Sequence, residues 1–199
     1  TLASTLFGYI IGLPMGIVLT VTDKDGIRPN AAVYKVLDVI SNLLRSIPFI
    51  ILLIVLIPFT RFVVGRSYGS TATIVPLTIA AAPYIARMVE SSLKEVDAGV
   101  IEAARSMGAS DFQIVTRVML VEARTSLIVG ATISLGTILG YSAMAGTVGG
   151  GGLGDIAIRY GYTRWQTDIM VVTVVLLVIL FQIFQTIGMK IANRLDRRK

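Results

Sequence analysis

The chain has 199 residues, of which 54% are hydrophobic and 15% charged, with neither cysteine nor histidine and a net charge of +6. That composition excludes an ordinary water-soluble domain, and it removes disulfides, thiol nucleophiles, most zinc sites and the imidazole base together. No lysine follows a glycine, so a G-x-x-x-x-G-K-[ST] phosphate loop is excluded as well, and neither catalytic residues, metal ligands nor a bound cofactor are expected.

In chain order, charge-poor segments run from Leu2 to Val21, Val36 to Phe59, Thr71 to Val89, Ser126 to Met144 and Asp168 to Met189. Each is long enough to cross about 30 Å of hydrocarbon as a helix. The fold class expected is therefore all-α, a polytopic membrane protein of about five transmembrane helices forming one domain over residues 1–199. The first segment starts without Met or flanking charge, which suggests a missing N-terminal tail, and it is too long for a cleaved signal peptide.

An odd number of spans puts the termini on opposite sides. Lys24, Arg28, Lys35, Arg87, Lys94, Arg105, Arg117, Arg124 and the C-terminal Lys190, Arg194, Arg197, Arg198 and Lys199 gather on one side, against Arg61, Arg66, Arg159 and Arg164 on the other. By the positive-inside rule the N-terminus is expected outside and the C-terminus in the cytoplasm. The positive charge is then explained by topology and anionic lipid, and no nucleic-acid partner is expected.

Prolines at positions 14, 48, 58, 76 and 83 lie within or at the ends of spans, where each removes a backbone donor and can kink a helix. Bent helices suit a transporter, because broken helices create cavities at membrane depth. Asp38 and Arg45 share a face of the second span and are expected to form a structural pair or an anchor. Arg87, Glu90 and Lys94 are expected to form a solvated extension of the third span. Gly136 and Gly140 make a G-x-x-x-G pair suited to bundle packing.

Between the third and fourth spans a polar loop, at about 97–121, interrupts the apolar pattern. Residues from Ala98 to Gly108 are expected to form a short helix capped by Asp97 and stopped by Gly108, followed by a second helix from Ser110 or Asp111 to about Leu120. The pair offers Glu102, Arg105 and a small-residue face of Ala103, Ala104 and Gly108 to a partner. After the fourth span, Gly149, Gly150, Gly151 and Gly152 cannot hold a helix and are expected to form an outer hinge or re-entrant turn. Met144, just before them, reads from its position either as a packing residue or as a pliable plug for a pore.

Glu102-Ala103-Ala104, three residues and then Gly108 resemble the EAA loop of permease subunits from ABC-type importers. Val121 stands where that family has proline, which departs from its usual bend. Arg45 to Leu53, Ile74 to Thr78, Ala82 to Glu90 and Gly140 to Met144 are more narrowly similar to the methionine importer permeases. The resemblance implies an ABC importer permease fold, a homodimer, two cytoplasmic ABC ATPase subunits that bind the ATP and Mg, and an extracytoplasmic substrate-binding protein, all at a bacterial inner membrane. It also implies coupling to the ATPase through Glu102, Ala103, Ala104, Arg105 and Gly108, and an outer gate at Met144 with Tyr141 and Ser142 beside it. The function it implies is translocation of methionine, of both stereoisomers or close analogues, by alternating access; the alternatives are an ABC importer permease for another amino acid or a short peptide, a gradient-driven secondary transporter and a non-transporting scaffold. Five spans do not divide into the two equal repeats of a secondary transporter and no acidic residue lies at mid-membrane, while a scaffold leaves the EAA loop and the glycine hinge unused.

Overall fold

A computed structural model describes residues 1–195, and every regular element among them is helical. The basic residues Arg197, Arg198 and Lys199 of the charge argument lie outside the described residues, as does the end of the expected domain.

Helix α1 (Leu2–Thr22) lies along the central helix α5 (Ser70–Lys94) through Gly8, Gly12 and Gly16. Small residues at that spacing let the backbones meet. A Cβ built on Gly12 would sit 2.6 Å from the Ala82 carbonyl oxygen, and one on Gly16 would sit 2.5 Å from that of Ala86. Around this contact Leu77, Ala81, Ile85 and Val89 of α5 form the core together with Phe49, Ile114 and Ile138.

The second span is not the continuous helix expected from Val36 to Phe59. Helix α2 (Ala31–Ser46) stops where Ile47 turns extended, at φ −82° and ψ 124°. Helix α3 (Phe49–Val55) then departs at 103° to it. Residues before proline disfavour the helical region, and Pro48 offers no amide to continue the ladder. A further short helix, α4 (Ile57–Val64), ends at Gly65 in the left-handed region, φ +75°.

Beyond α5 come α6 (Ala98–Ser106), α7 (Asp111–Gln113), a π-helical segment Ile114–Met119 and α8 (Leu120–Glu122). Helix α9 (Arg124–Met144) passes into a 3₁₀ turn, Ala145–Val148, then α10 (Gly152–Ile156) and a π-helical segment Ala157–Tyr162. The last helix, α11 (Thr167–Leu195), packs on α9 where the ring of Phe181 fills the space left by Gly136. Gly140, the other member of that glycine pair, faces open space. Helices α1, α5, α9 and α11 are long and apolar enough to cross a membrane, and the bent pair α2 and α3 makes a fifth candidate crossing.

Candidate functional site

The polar loop is built as a platform. Asp97 caps α6 by accepting the Gly99 amide at 2.8 Å. At the other end Gly108 takes φ +81°, and the Ala109 amide reaches back to the Ala104 carbonyl at 3.1 Å. The left-handed residue closes the helix, and glycine adopts it without a Cβ penalty. Ser110, rather than Asp111, caps the next helix in a reciprocal box with Gln113.

Glu102, Ala103, Arg105 and Gly108 are exposed on this platform. Ala104 is not part of the outward face expected for it. It is 5% exposed and packs in the core with Ile114 and Met119, because the helical period turns it inward as the foot on which α6 stands. Arg105 donates to the Ile27 carbonyl at 3.0 Å and lies 3.9 Å from Asp111, joining the loop to the α1–α2 connection. Two apolar side chains project where sequence reasoning named none: Met107 is 82% exposed and Phe112 is 77% exposed. A signal was present for Phe112, which lies two residues from the buried Ile114 and so on the opposite side, but not for Met107, the cap residue of α6, which follows the buried Ala104 at the same-face spacing of three.

At the opposite end of the bundle, Tyr141 stacks on Phe49 with ring centroids 4.8 Å apart and 6° between planes. This contact fastens the far side of the broken span to the last turns of α9. Met144 ends α9 half-exposed, and its carbonyl accepts the Thr147 hydroxyl at 2.8 Å. Ser142 lines a cavity of about 290 Å³ shared with Gly150, Gly151, Gly152 and the N-terminal ends of α1 and α5. Gly149, Gly150 and Gly151 form a close turn, whereas Gly152, expected to lie in it, opens α10; Gly149, Gly151 and Gly152 take φ +78°, +75° and +80°. The Gly69 amide donates to the Gly149 carbonyl at 3.0 Å, and a Cβ on Gly150 would lie 2.8 Å from Thr73 Oγ1, so the turn is seated on the start of α5.

A third group differs from its expected solvated form. Glu90 is no solvated residue but 4% exposed, accepting from Arg87 at 2.7 Å and Lys94 at 2.8 Å. Arg87 also pairs with Asp38, and Lys94 with Asp23 at 2.6 Å. Asp38 therefore does not pair with Arg45. The tertiary approach of α2 to α5 brings Arg87 to it first, and a buried carboxylate needs such partners. The Lys94 ammonium holds the Asp23 carboxyl below the usual carboxylate range, assisted by the Lys24 amide at 2.7 Å.

Comparison with known proteins gives a consistent picture. Residues 9–199 match the model of the "Binding-protein-dependent transport system inner membrane component" family. A Vibrio cholerae protein described as a probable D-methionine transport system permease protein, MetI, is 49% identical over 191 residues, covering 96% of this chain and 85% of its own. The Salmonella typhimurium D-methionine transport system permease protein MetI is 55% identical over 146 residues, 73% of this chain and 67% of its own. Among solved structures, an inward-facing conformation of the MetNI methionine ABC transporter superposes with a TM-score of 0.96 at 52% identity, over 98% of this chain and 90% of that one. A more distant amino acid ABC transporter, solved with histidines, shares the fold at a TM-score of 0.74 and 20% identity, over 96% of this chain and 88% of its own.

Proposed function

The chain belongs to the family of binding-protein-dependent transport system inner membrane components, and we propose that it is the membrane-spanning permease subunit of an ATP-driven methionine importer. The cargo is supported by the names of its relatives and by the methionine transporter whose fold it shares. The observation that carries the mechanism is the platform of Glu102, Ala103, Arg105 and Gly108, from which Met107 and Phe112 project over a buried base. Exposed apolar side chains ringed by charge are the anatomy of a protein docking surface.

In this reading two copies of the chain enclose the path, with N-termini outside and C-termini in the cytoplasm. Two ATPase subunits bind ATP and Mg and grip the platforms, and an extracytoplasmic binding protein delivers methionine of either stereochemistry. ATP binding closes the ATPases, the platforms move with them, and rigid-body rotation of the spans exchanges inward for outward access. Met144, with Tyr141 and Ser142 beside it, narrows the outer gate, and the turn at Gly149, Gly150, Gly151 and Gly152 is its hinge. Chemistry stays with the partner; this chain transmits the motion. The test is uptake into proteoliposomes holding the chain with its ATPase and binding protein. ATP-dependent accumulation of methionine is the expected result. ATPase stimulation by a different solute would change the cargo, and accumulation driven by an ion gradient would overturn the mechanism.

A further inference from the structure

Arg45 is a charge without a counter-charge. It is exposed in the last turn of α2, and among the described residues no carboxylate lies within ion-pair distance of it. Its depth follows from the pairing of α2 with α5, in which Tyr34 meets Glu90 and Asp38 meets Arg87. At about 1.5 Å per residue, Arg87 stands roughly 26 Å from the Ser70 end of α5, and Arg45 lies about 10 Å nearer that end than Asp38. It therefore sits near the middle of a hydrocarbon layer about 30 Å thick. A guanidinium keeps its proton, and at that depth an unpaired one faces water or an anion, not lipid.

Its direction is set by the helix. Asp38, Asn42 and Arg45 follow one another on one flank of α2, and Arg87 of α5 meets the first two. The lipid-like flank is a different one, formed by the exposed apolar Val36, Val39, Ile40 and Leu43.

The break beside Arg45 supplies the opposite polarity. Pro48 has no amide for the Leu44 carbonyl, the chain turns away by 103°, and the carbonyls of Leu44, Arg45 and Ser46 have no hydrogen-bond partner among the described residues. A helix C-terminus concentrates partial negative charge and favours a cation. Interrupted helices use such ends as ion sites at membrane depth.

We propose that this broken end of α2 is the subsite that holds the zwitterionic head group of the transported amino acid, Arg45 taking the carboxylate and the carbonyls of Leu44, Arg45 and Ser46 taking the ammonium. A carboxylate fits the guanidinium fork bidentately. The inference rests on the importer reading and adds to it the residue that recognises the common part of the cargo.

Because these 199 residues hold no cysteine, Arg45→Cys introduces the sole thiol among them. In proteoliposomes of the whole complex, R45C should accumulate methionine at least tenfold more slowly than wild type while still co-purifying with the ATPase. Modification with 2-aminoethyl methanethiosulfonate, which returns a cation, should restore uptake to within about threefold, whereas the neutral methyl reagent should not. Wild-type uptake by R45C, or a thiol inert to the cationic reagent with and without ATP, would overturn the subsite. Should R45C fail to assemble, Ser46→Cys at the same helix end decides: reactivity that methionine protects supports the site, and an inert thiol removes it. The importer reading fails on wild-type uptake alone, and the subsite fails on R45C measured against a wild type that transports.

Discussion

Asp23 and Glu90 show how single residues are reassigned by their neighbours. Both are acidic residues near the ends of apolar helices, where water would be their ordinary partner, yet Lys94 bridges them at 2.6 Å and 2.8 Å. The Asp23 carboxyl titrates below its ordinary value of 3.8 because its charged form is held by Lys94. A depressed carboxyl contributes stability that is complete above the unfolded value and disappears as pH falls through the folded one. Thermal unfolding of the detergent-solubilised chain should accordingly lose midpoint as pH drops from about 4 downward, and Asp23→Asn should flatten that acid limb while lowering the midpoint at neutral pH. An acid limb identical in the two proteins would remove Lys94 as the cause. Gly108 illustrates the opposite case, a residue whose role is local: its φ of +81° needs no tertiary contact, since nothing lies within 4 Å of where a Cβ would be.

At the scale of elements, proline alone does not decide whether a helix breaks. Pro76 and Pro83 lie buried inside an uninterrupted α5, and Pro14 lies inside an uninterrupted α1, whereas exposed Pro48 separates α2 from α3. Packing around α5 supplies what the missing amides cost, while beyond Pro48 the new direction is held by Phe49, stacked on Tyr141, and by Leu52 and Leu53, buried in the core. The glycines of one span that meet the backbone of another are likewise not the G-x-x-x-G pair in α9 but Gly12 and Gly16 of α1 against the Ala82 and Ala86 carbonyls of α5, with Gly8 in the same stripe. Overpacking a tight interface costs about 1–3 kcal/mol. Gly12→Val should therefore lower the unfolding midpoint of the purified chain by several degrees, while Gly140→Ala, into open space, should leave it unchanged. Equal behaviour of the two variants would mean that α1 is free to move off α5.

For the whole molecule, the question is what covers its exposed apolar surface. Helix α11 buries only Thr173 and Ala192 among its residues, which suits lipid or a second subunit, but Met107 and Phe112 stand on a polar loop outside the spans. Replacing both by Asp should leave folding intact, since neither side chain is buried, and should weaken co-purification with the ATPase at least tenfold, or about 1.4 kcal/mol. ATP-dependent uptake should fall with it. Undiminished assembly would move the grip to Glu102 and Arg105 alone.

What the sequence by itself determined is set by local rules and by solvent. Four long spans follow from runs of apolar residues, the short helices from Asp97, Ser110 and Gly108, and the family from the spacing of Glu102, Ala103, Ala104 and Gly108, all legible because each depends on residues close together in the chain. The tertiary structure alone decided that Asp38 meets Arg87, that Ala104 faces inward, that Glu90 is buried and that Pro48 turns the second span through 103°. Those outcomes depend on which helix lies against which. In a chain made almost wholly of apolar helices, periodicity marks a face as buried without naming the partner that buries it, and it is the pairing of Asp38 on α2 with Arg87 on α5 that leaves Arg45 without a carboxylate partner among the described residues.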